Sequence, residues 1–251
     1  MMPSRTGDIQ TVTINQVLED LDIVVGEDFA MGDFDVLGWQ LAAKVRERGS
    51  HGYNHHGALF RPNYERGILV HSLIQKKGLV KILEIGFGRG YVTTCAANAI
   101  YGKGINGEVT TVDPFFDQQK LDNFSSVLDP AITSMVKINT MGQTSDHYFD
   151  SLHPKARFDF IFIDGDHRYD SVRKDYENAV KHIDRGYILM DDYHMPTKVE
   201  KDIDVSNFVD SLPSSVERKL VLTDRLLFND DRGKTSDDLD YGMVLIPVGD
   251  I

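Results

Sequence analysis

Two apolar stretches of the sequence each end in side chains that could do chemistry. They are Asp164, Asp166 and His167 after one stretch, and Asp191 and Asp192 after the next. Three carboxylates on neighbouring strand ends would repel one another unless they were protonated, hydrogen-bonded or bridged by a hard cation. Oxygen ligands of this kind suit Mg²⁺ or Ca²⁺. We therefore predict a metal site formed by Asp164, Asp191 and Asp192.

In a simpler interpretation, Asp191 caps the turn that follows it and Asp192 pairs with a basic residue such as Arg168 or Arg173.

His167 is the first candidate for a general base. An imidazole with an unperturbed pKa of about 6.5 is suited to removing a proton at neutral pH. Asp166 is equally close to the strand end and could do the same task. His167 could also be a surface or capping residue without a chemical role.

A glycine-rich turn at residues 83–90, with the sequence LEIGFGRG, follows another apolar run and precedes a predicted helix. Closely spaced glycines in this context let the backbone approach a bound ligand. The dinucleotide fingerprint places its third glycine one position later, where this chain has Tyr91, so a nicotinamide cofactor is disfavoured. Asp113 ends the next predicted strand, where a carboxylate can accept hydrogen bonds from both hydroxyls of a ribose.

A third segment, residues 142–146, follows the next predicted strand and contains Thr144 and Ser145. These hydroxyls could contact the ligand on the side of its base. They could equally cap the helix that begins there.

Taken together, Glu84 and the glycine turn resemble the first motif of class I methyltransferases, which depend on S-adenosylmethionine (SAM). The stretches around Asp164 and Asp191 resemble the group that includes bacterial sugar O-methyltransferases, and the resemblance spans about residues 66 to 195. More distantly, the layout is similar to catechol and caffeoyl-CoA O-methyltransferases. These enzymes hold Mg²⁺ with acidic residues at the places of Asp164, Asp191 and Asp192, and they carry a lysine base where this chain has His167.

The resemblance implies a SAM site and a transferase activity. The expected cofactor contacts are Glu84, Gly86, Gly88, Gly90, Tyr91, Asp113, Thr144, Ser145 and Asp164. The expected reaction is O-methylation of a small-molecule hydroxyl, on a sugar, polyol or phenol, with possible help from Mg²⁺. Methylation of nitrogen or of a carboxyl group without metal is an alternative, and a SAM-fold binding protein that has lost catalysis is another.

The elements that must position these residues alternate between strands and helices. Apolar runs end near residues 85, 112, 138, 163 and 190, and helical patterns lie between most of them. Such continuous apolar runs are typical of parallel strands covered by helices on both faces. The pattern predicts an α/β fold with a Rossmann-like, doubly wound and mostly parallel sheet, which ends in an antiparallel C-terminal hairpin.

The N-terminal quarter has helical signals at residues 14–21, 37–48 and 66–75. We predict a helical N-terminal cap over residues 1–65 and a methyltransferase domain over residues 66–251. The glycine- and histidine-containing loop at residues 51–57 is the candidate lid over the substrate.

Composition limits the partners. The 251-residue chain has a formal net charge of -12 and no long cluster of basic residues, so nucleic acid is not an expected partner. No apolar stretch is long enough for a membrane span, and no signal peptide is recognisable. We expect a cytoplasmic protein that acts on a small molecule and could form a homodimer.

Overall fold

The computed structural model describes residues 9–22, 64–126, 128–194, 204–222 and 241–250, and the fold is given for these residues. The strands are β1 (Gln10–Thr13), β2 (Lys81–Ile85), β3 (Gly107–Val112), β4 (Val136–Met141), β5 (Phe160–Ile163), β6 (Gly186–His194), β7 (Lys219–Leu222) and β8 (Tyr241–Val248). The helices are α1 (Ile14–Asp20), α2 (Tyr64–Lys77), α3 (Tyr91–Gly102), α4 (Gln118–Ser125), α5 (Pro130–Thr133), α6 (Ser145–Ser151), α7 (Tyr169–Lys181) and α8 (Val205–Ser211). None of the described helices is both long and apolar enough to cross a membrane.

All eight strands form one sheet in the order β1-β7-β8-β6-β5-β2-β3-β4. Strand β8 is antiparallel to both β6 and β7, and the other neighbouring strands are parallel. The order of the strands reverses at β2, which pairs with β3 on one side and β5 on the other. In open α/β sheets, ligands bind beyond the carboxyl ends of the strands at such a reversal. The fold therefore places the candidate site beyond β2 and β5.

The sheet is covered on both faces, as its apolar strands require. In β5, Phe160 and Phe162 belong to one buried cluster with residues of α1, α2 and α3, whereas Ile161 and Ile163 belong to a second cluster with residues of α6, α7 and α8. Successive side chains of a strand point to opposite faces, so a strand buried on both faces must be apolar throughout. This confirms the predicted α/β class, including the antiparallel ending.

The described part of the N-terminal segment belongs to the same sheet. Strand β1 pairs with β7, and Thr13 at its end caps α1 by accepting a hydrogen bond from the Gln16 amide at 3.3 Å. Only the helix had been predicted here, because a four-residue strand at a sheet edge gives little periodicity. The predicted helix at residues 37–48 and the candidate lid at residues 51–57 lie outside the described residues, and the domain boundary at residue 65 stays a prediction.

Two further features were not predicted. Helices α4 and α5 lie between β3 and β4, in a segment whose polar composition gave no clear helical pattern. Strand β6 continues past Met190 to His194 because its pairing with β8 shifts register between Met190 and Tyr193. A register shift of this kind bends the strand and changes the direction of its side chains. It falls at Asp191 and Asp192.

Candidate active site

Two cavities meet at the carboxyl ends of β2 and β5. The larger has a volume of about 1090 Å³ and the smaller about 290 Å³, and Gly86, Gly88 and Asp164 line both. A ligand that extends across this junction would have one part in each cavity.

Gly86 allows the ends of β2 and β5 to approach each other. Its φ is +91°, and a Cβ atom there would lie 1.9 Å from the carbonyl oxygen of Asp164. Gly90 has φ of +84° at the start of α3, where a Cβ would lie 2.5 Å from the ring of Phe124 and 2.7 Å from that of Phe87. Gly90 lines neither of the two cavities. The structure therefore places Gly90 in the packing beneath the turn, while Gly86 and Gly88 face the cavities.

Asp113 connects the glycine turn with the end of β3. Its carboxylate accepts hydrogen bonds from the backbone amides of Phe87 at 3.1 Å and Phe115 at 2.7 Å. The residue is only 7% exposed, yet it lines the larger cavity. These two amides fix the orientation of the carboxylate toward a ligand.

Thr144 and Ser145 line the larger cavity opposite the turn. Thr144 also caps α6, because its hydroxyl accepts a hydrogen bond from the His147 amide at 3.3 Å. The two interpretations offered from the sequence are thus compatible, since the capping residue also lies in the cavity wall.

Asp175 is a residue of this cavity that the sequence analysis missed. It lies on α7 and is 2% exposed, and burial raises its pKa to about 6 against the lowering effect of a hydrogen bond with Ser145. The signal was present in the sequence. Asp175 lies between Val172 and Ala179 on the buried face of the helix, where an acidic residue is out of place unless it has a role.

Glu84 lies in the wall of the smaller cavity. It is 1% exposed, and it accepts a hydrogen bond from the hydroxyl of Thr93. Burial raises the pKa of Glu84 to about 8, although the hydrogen bond opposes this shift. Tyr91 and Arg89 line the same cavity. The smaller cavity therefore presents both acidic and basic groups.

Asp164, His167 and Asp192 form a compact cluster beside the junction of the cavities. The Nε2 atom of His167 lies 3.2 Å from Oδ1 of Asp164 and 3.3 Å from Oδ2 of Asp192. The hydrogen bond with Asp164 and the nearby charges of Asp192 and Asp191 raise the pKa of His167 to about 9, in spite of its burial. Burial raises the pKa of Asp164, and the charge of Asp192 adds to that effect.

Asp191 lies next to this cluster and is paired with Arg66. Its carboxylate contacts a guanidinium nitrogen of Arg66, and a second nitrogen of Arg66 lies 3.8 Å from Oδ1 of Asp192. Arg66 comes from α2 and was not predicted as a site residue, because nothing in its local sequence distinguishes it from a surface arginine. The fold brings it to a carboxylate 125 positions further along the chain.

Asp166 points to a different set of partners. Its carboxylate accepts hydrogen bonds from the side chains of Arg168, at 2.8 Å from Nε, and Ser171, at 2.9 Å. The hydrogen bond with Arg168 holds its pKa at about 2. Arg173, the other basic residue considered as a partner of Asp192, contacts Asp170 and Glu177.

Comparisons with known proteins agree with this fold. Residues 83–193 match the model of a protein family described as a methyltransferase domain, whereas no curated protein matches the chain. The O-methyltransferase TomG from Streptomyces achromogenes, involved in tomaymycin synthesis and solved with SAM, is 17% identical with a TM-score of 0.57 over 94% of this chain and 96% of that one. An O-methyltransferase from Bacillus cereus in complex with S-adenosylhomocysteine is 19% identical with a TM-score of 0.54, over 93% and 96%. A candidate O-methyltransferase from Klebsiella pneumoniae is 16% identical with a TM-score of 0.59, over 94% and 96%.

The fold is that of the similar O-methyltransferase structures, and part of the chain matches a methyltransferase domain. The matching residues 83–193 extend from β2 to β6 and include both cavities' strand ends. This confirms the resemblance that the glycine turn and the strand-end acids indicated.

Proposed function

We propose that this protein transfers the methyl group of SAM to a hydroxyl group of a small molecule. The observation that carries the proposal is the junction of two cavities at Gly86 and Asp164, with Asp113 fixed in the wall of one and Glu84 in the wall of the other. O-methyltransferases among the structural neighbours support oxygen as the acceptor atom.

The two cavities suit the two halves of the cofactor. The larger holds the adenosine, with its ribose hydroxyls donating to Asp113 and its base toward Thr144 and Ser145. The methionine half of SAM carries an amino group and a carboxylate, and the smaller cavity offers Glu84 and Arg89 to these opposite charges. Burial favours the neutral form of Glu84, and the ammonium group of the bound cofactor would favour its ionised form. The sulfonium then lies near Asp164, where the cavities join.

The transfer is an in-line displacement. The acceptor oxygen forms a bond to the methyl carbon while the carbon–sulfur bond breaks, so SAM becomes S-adenosylhomocysteine. Because the sulfonium already activates the methyl group, the protein has to position the reactants and accept the hydroxyl proton. We assign the proton to the cluster of Asp164, His167 and Asp192, in which Asp164 borders both cavities.

The two predicted bases differ in their suitability. His167 belongs to the cluster, but its raised pKa of about 9 favours the protonated form at neutral pH, so within the cluster a carboxylate is the better proton acceptor. Asp166 is paired with Arg168 and has a lowered pKa, which makes it a weak base. A role for either residue as the base stays a prediction.

Mg²⁺ was the second cofactor expected from the sequence. Asp164, His167 and Asp192 offer donor atoms within 4.8 Å of one another, whereas Asp191 of the predicted trio contacts Arg66 instead. Mg²⁺ prefers oxygen ligands, and here N–H groups of Arg66 and His167 face the carboxylate oxygens. The arrangement does not fit the metal, and no step of the proposed reaction passes through one.

Binding of SAM by the protein and by an Asp113→Asn variant tests the proposal. Titration calorimetry should show SAM and S-adenosylhomocysteine binding to the unchanged protein. The variant should bind about 10 to 100 times more weakly, since a hydrogen bond to a charged group contributes about 1.5 to 3 kcal/mol. Asp150→Asn, at an exposed position of α6, is the matched control and should bind normally.

Measuring product formation with different classes of acceptor tests which class the protein methylates. Production of S-adenosylhomocysteine should increase with hydroxylated compounds such as sugars, polyols or phenols, and not with amines or carboxylic acids. Turnover of amines or carboxylic acids alone would replace O-methylation by the corresponding alternative. SAM binding without turnover of any acceptor would favour a non-catalytic binding protein, and absence of SAM binding would contradict the proposal.

A further inference from the structure

We infer that Arg66 takes the place that a divalent cation would have at the strand-end carboxylates, so that methyl transfer here proceeds without a metal. The inference rests on the proposed function for its catalytic consequence. Its structural part concerns only described residues of α2, of β6 and of the loop that follows β5.

The carboxylates at this edge of the sheet each face a nitrogen that carries hydrogen. Oδ2 of Asp191 contacts Nη1 of Arg66, and Oδ1 of Asp192 lies 3.8 Å from Nη2 of the same guanidinium. The other oxygen of Asp192 and Oδ1 of Asp164 both face Nε2 of His167. A nitrogen between two carboxylates presents its proton to them, because ionised carboxylates are acceptors only. Its lone pair is then not directed at a metal.

The backbone is shaped to deliver two consecutive carboxylates to one guanidinium. In a regular strand, Asp191 and Asp192 would point to opposite faces of the sheet. The register shift in β6 and the left-handed backbone of Asp192, with φ of +57°, bring both side chains to Arg66. A non-glycine residue in this conformation is uncommon and is found where the surroundings hold it in place.

Burial makes the guanidinium necessary. The side chain of Asp191 is 1% exposed and that of Arg66 is 16% exposed. A carboxylate this deeply buried requires a compensating charge, and a permanent cation from α2 supplies it. Arg66 also lines the smaller cavity, so its charge is fixed beside the space assigned to the methionine half of SAM.

This assignment changes the expected acceptor. A metal would favour two adjacent oxygens that chelate it, as in a vicinal diol or catechol. A guanidinium and a carboxylate cluster place no such requirement, so an acceptor with a single hydroxyl is sufficient.

Binding of Mn²⁺ in the absence of SAM and acceptor tests the inference independently of the proposed function. Electron paramagnetic resonance should show no stoichiometric Mn²⁺ binding to the unchanged protein. The double variant Arg66→Ala/Asp191→Asn removes the cation together with the buried carboxylate that needs it, which protects folding. It leaves Asp164, His167 and Asp192, and it should gain at least a tenfold higher affinity for Mn²⁺. Adding Asp192→Asn to this variant should abolish the gain.

Two results would overturn the inference. One is stoichiometric Mn²⁺ binding by the unchanged protein that is lost in Asp192→Asn. The other is a double variant that melts cooperatively, and is therefore folded, but gains no affinity for Mn²⁺. Neither result depends on SAM binding, so failure of the inference and failure of the proposed methyltransferase activity are distinguishable.

Discussion

Glu84 and Asp175 are buried acids whose surroundings favour the neutral form, and they lie in the walls of the two cavities. Groups of this kind reduce the stability of a fold at neutral pH and are retained where a ligand uses them. Their raised pKa values therefore point to the same region as the glycine turn. The agreement is independent, because the glycines act through backbone geometry and the acids through burial.

Replacing Glu84 by Gln should stabilise the protein at neutral and alkaline pH. The pKa of this carboxyl is about 8 in the fold and 4.5 ordinarily, so the cost of burying it is absent below about pH 4.5, grows as the pH rises and is complete above about pH 8. At about 1.4 kcal/mol for each pKa unit, the gain should reach a few kcal/mol.

Urea unfolding of both proteins at pH 5 and pH 8 measures this effect. The free energy of unfolding should rise more at pH 8 than at pH 5. The same variant should bind SAM more weakly, because the ammonium group of SAM favours ionisation of Glu84 and the amide cannot ionise. An equal change in stability at the two pH values would contradict the pKa shift.

The sequence predicted the site residues that directly follow strands, but not Arg66 and Asp175, which lie on helices. Asp113 and Asp164 could be predicted because the carboxyl ends of parallel strands meet at one edge of a sheet. Arg66 could not, because it reaches Asp191 from a helix that packs against α3, and only the assembled core determines that distance. Asp175 could have been found from its position on an apolar helix face.

At the scale of the elements, the glycine turn lies where the ends of β2 and β5 approach each other closely. Gly86→Ala should therefore destabilise the protein by several kcal/mol and abolish SAM binding, since the new Cβ would meet backbone atoms of Asp164. Gly104→Ala is the matched control. Its φ of +71° carries a similar conformational cost, of about 1 kcal/mol, but nothing lies within 4 Å of the added atom.

Thermal melting and SAM titration of the two variants separate these effects. A Gly86→Ala variant no less stable than Gly104→Ala would show that the two strand ends do not lie as close as the structure has them.

Most strands and helices of the central domain could be predicted because each is long or strongly apolar, whereas α4 and α5 could not, because their segment is polar. The register shift in β6 could not, since Asp191, Asp192 and Tyr193 carry no glycine or proline that marks a bend. The shift depends on pairing with β8, some fifty positions further along the chain. The sequence assigned Asp191 to a metal, and the structure pairs it with Arg66.

At the scale of the whole molecule, SAM binding should stabilise the fold, because the ligand would contact residues that follow both β2 and β5. A ligand that binds only the folded state, at about 100 times its Kd, adds about 2.7 kcal/mol to the free energy of unfolding. For a chain of this size the melting temperature should rise by roughly 5 to 10 °C.

Differential scanning fluorimetry with SAM, S-adenosylhomocysteine and NAD⁺ measures this shift. The two adenosyl ligands should raise the melting temperature and NAD⁺ should not. A larger shift with NAD⁺ would favour an oxidoreductase.

Strand β1 has a consequence for how the chain is made. Gln10 is synthesised long before Lys219, its neighbour in the sheet, and until the ribosome delivers β7 the first strand has no edge to join. The central strands can pair earlier from nearby sequence, whereas this last pairing closes a loop of nearly the whole chain. The edge of the sheet formed by β1 and β7 is thus completed after the segment from β2 to β6 has been synthesised.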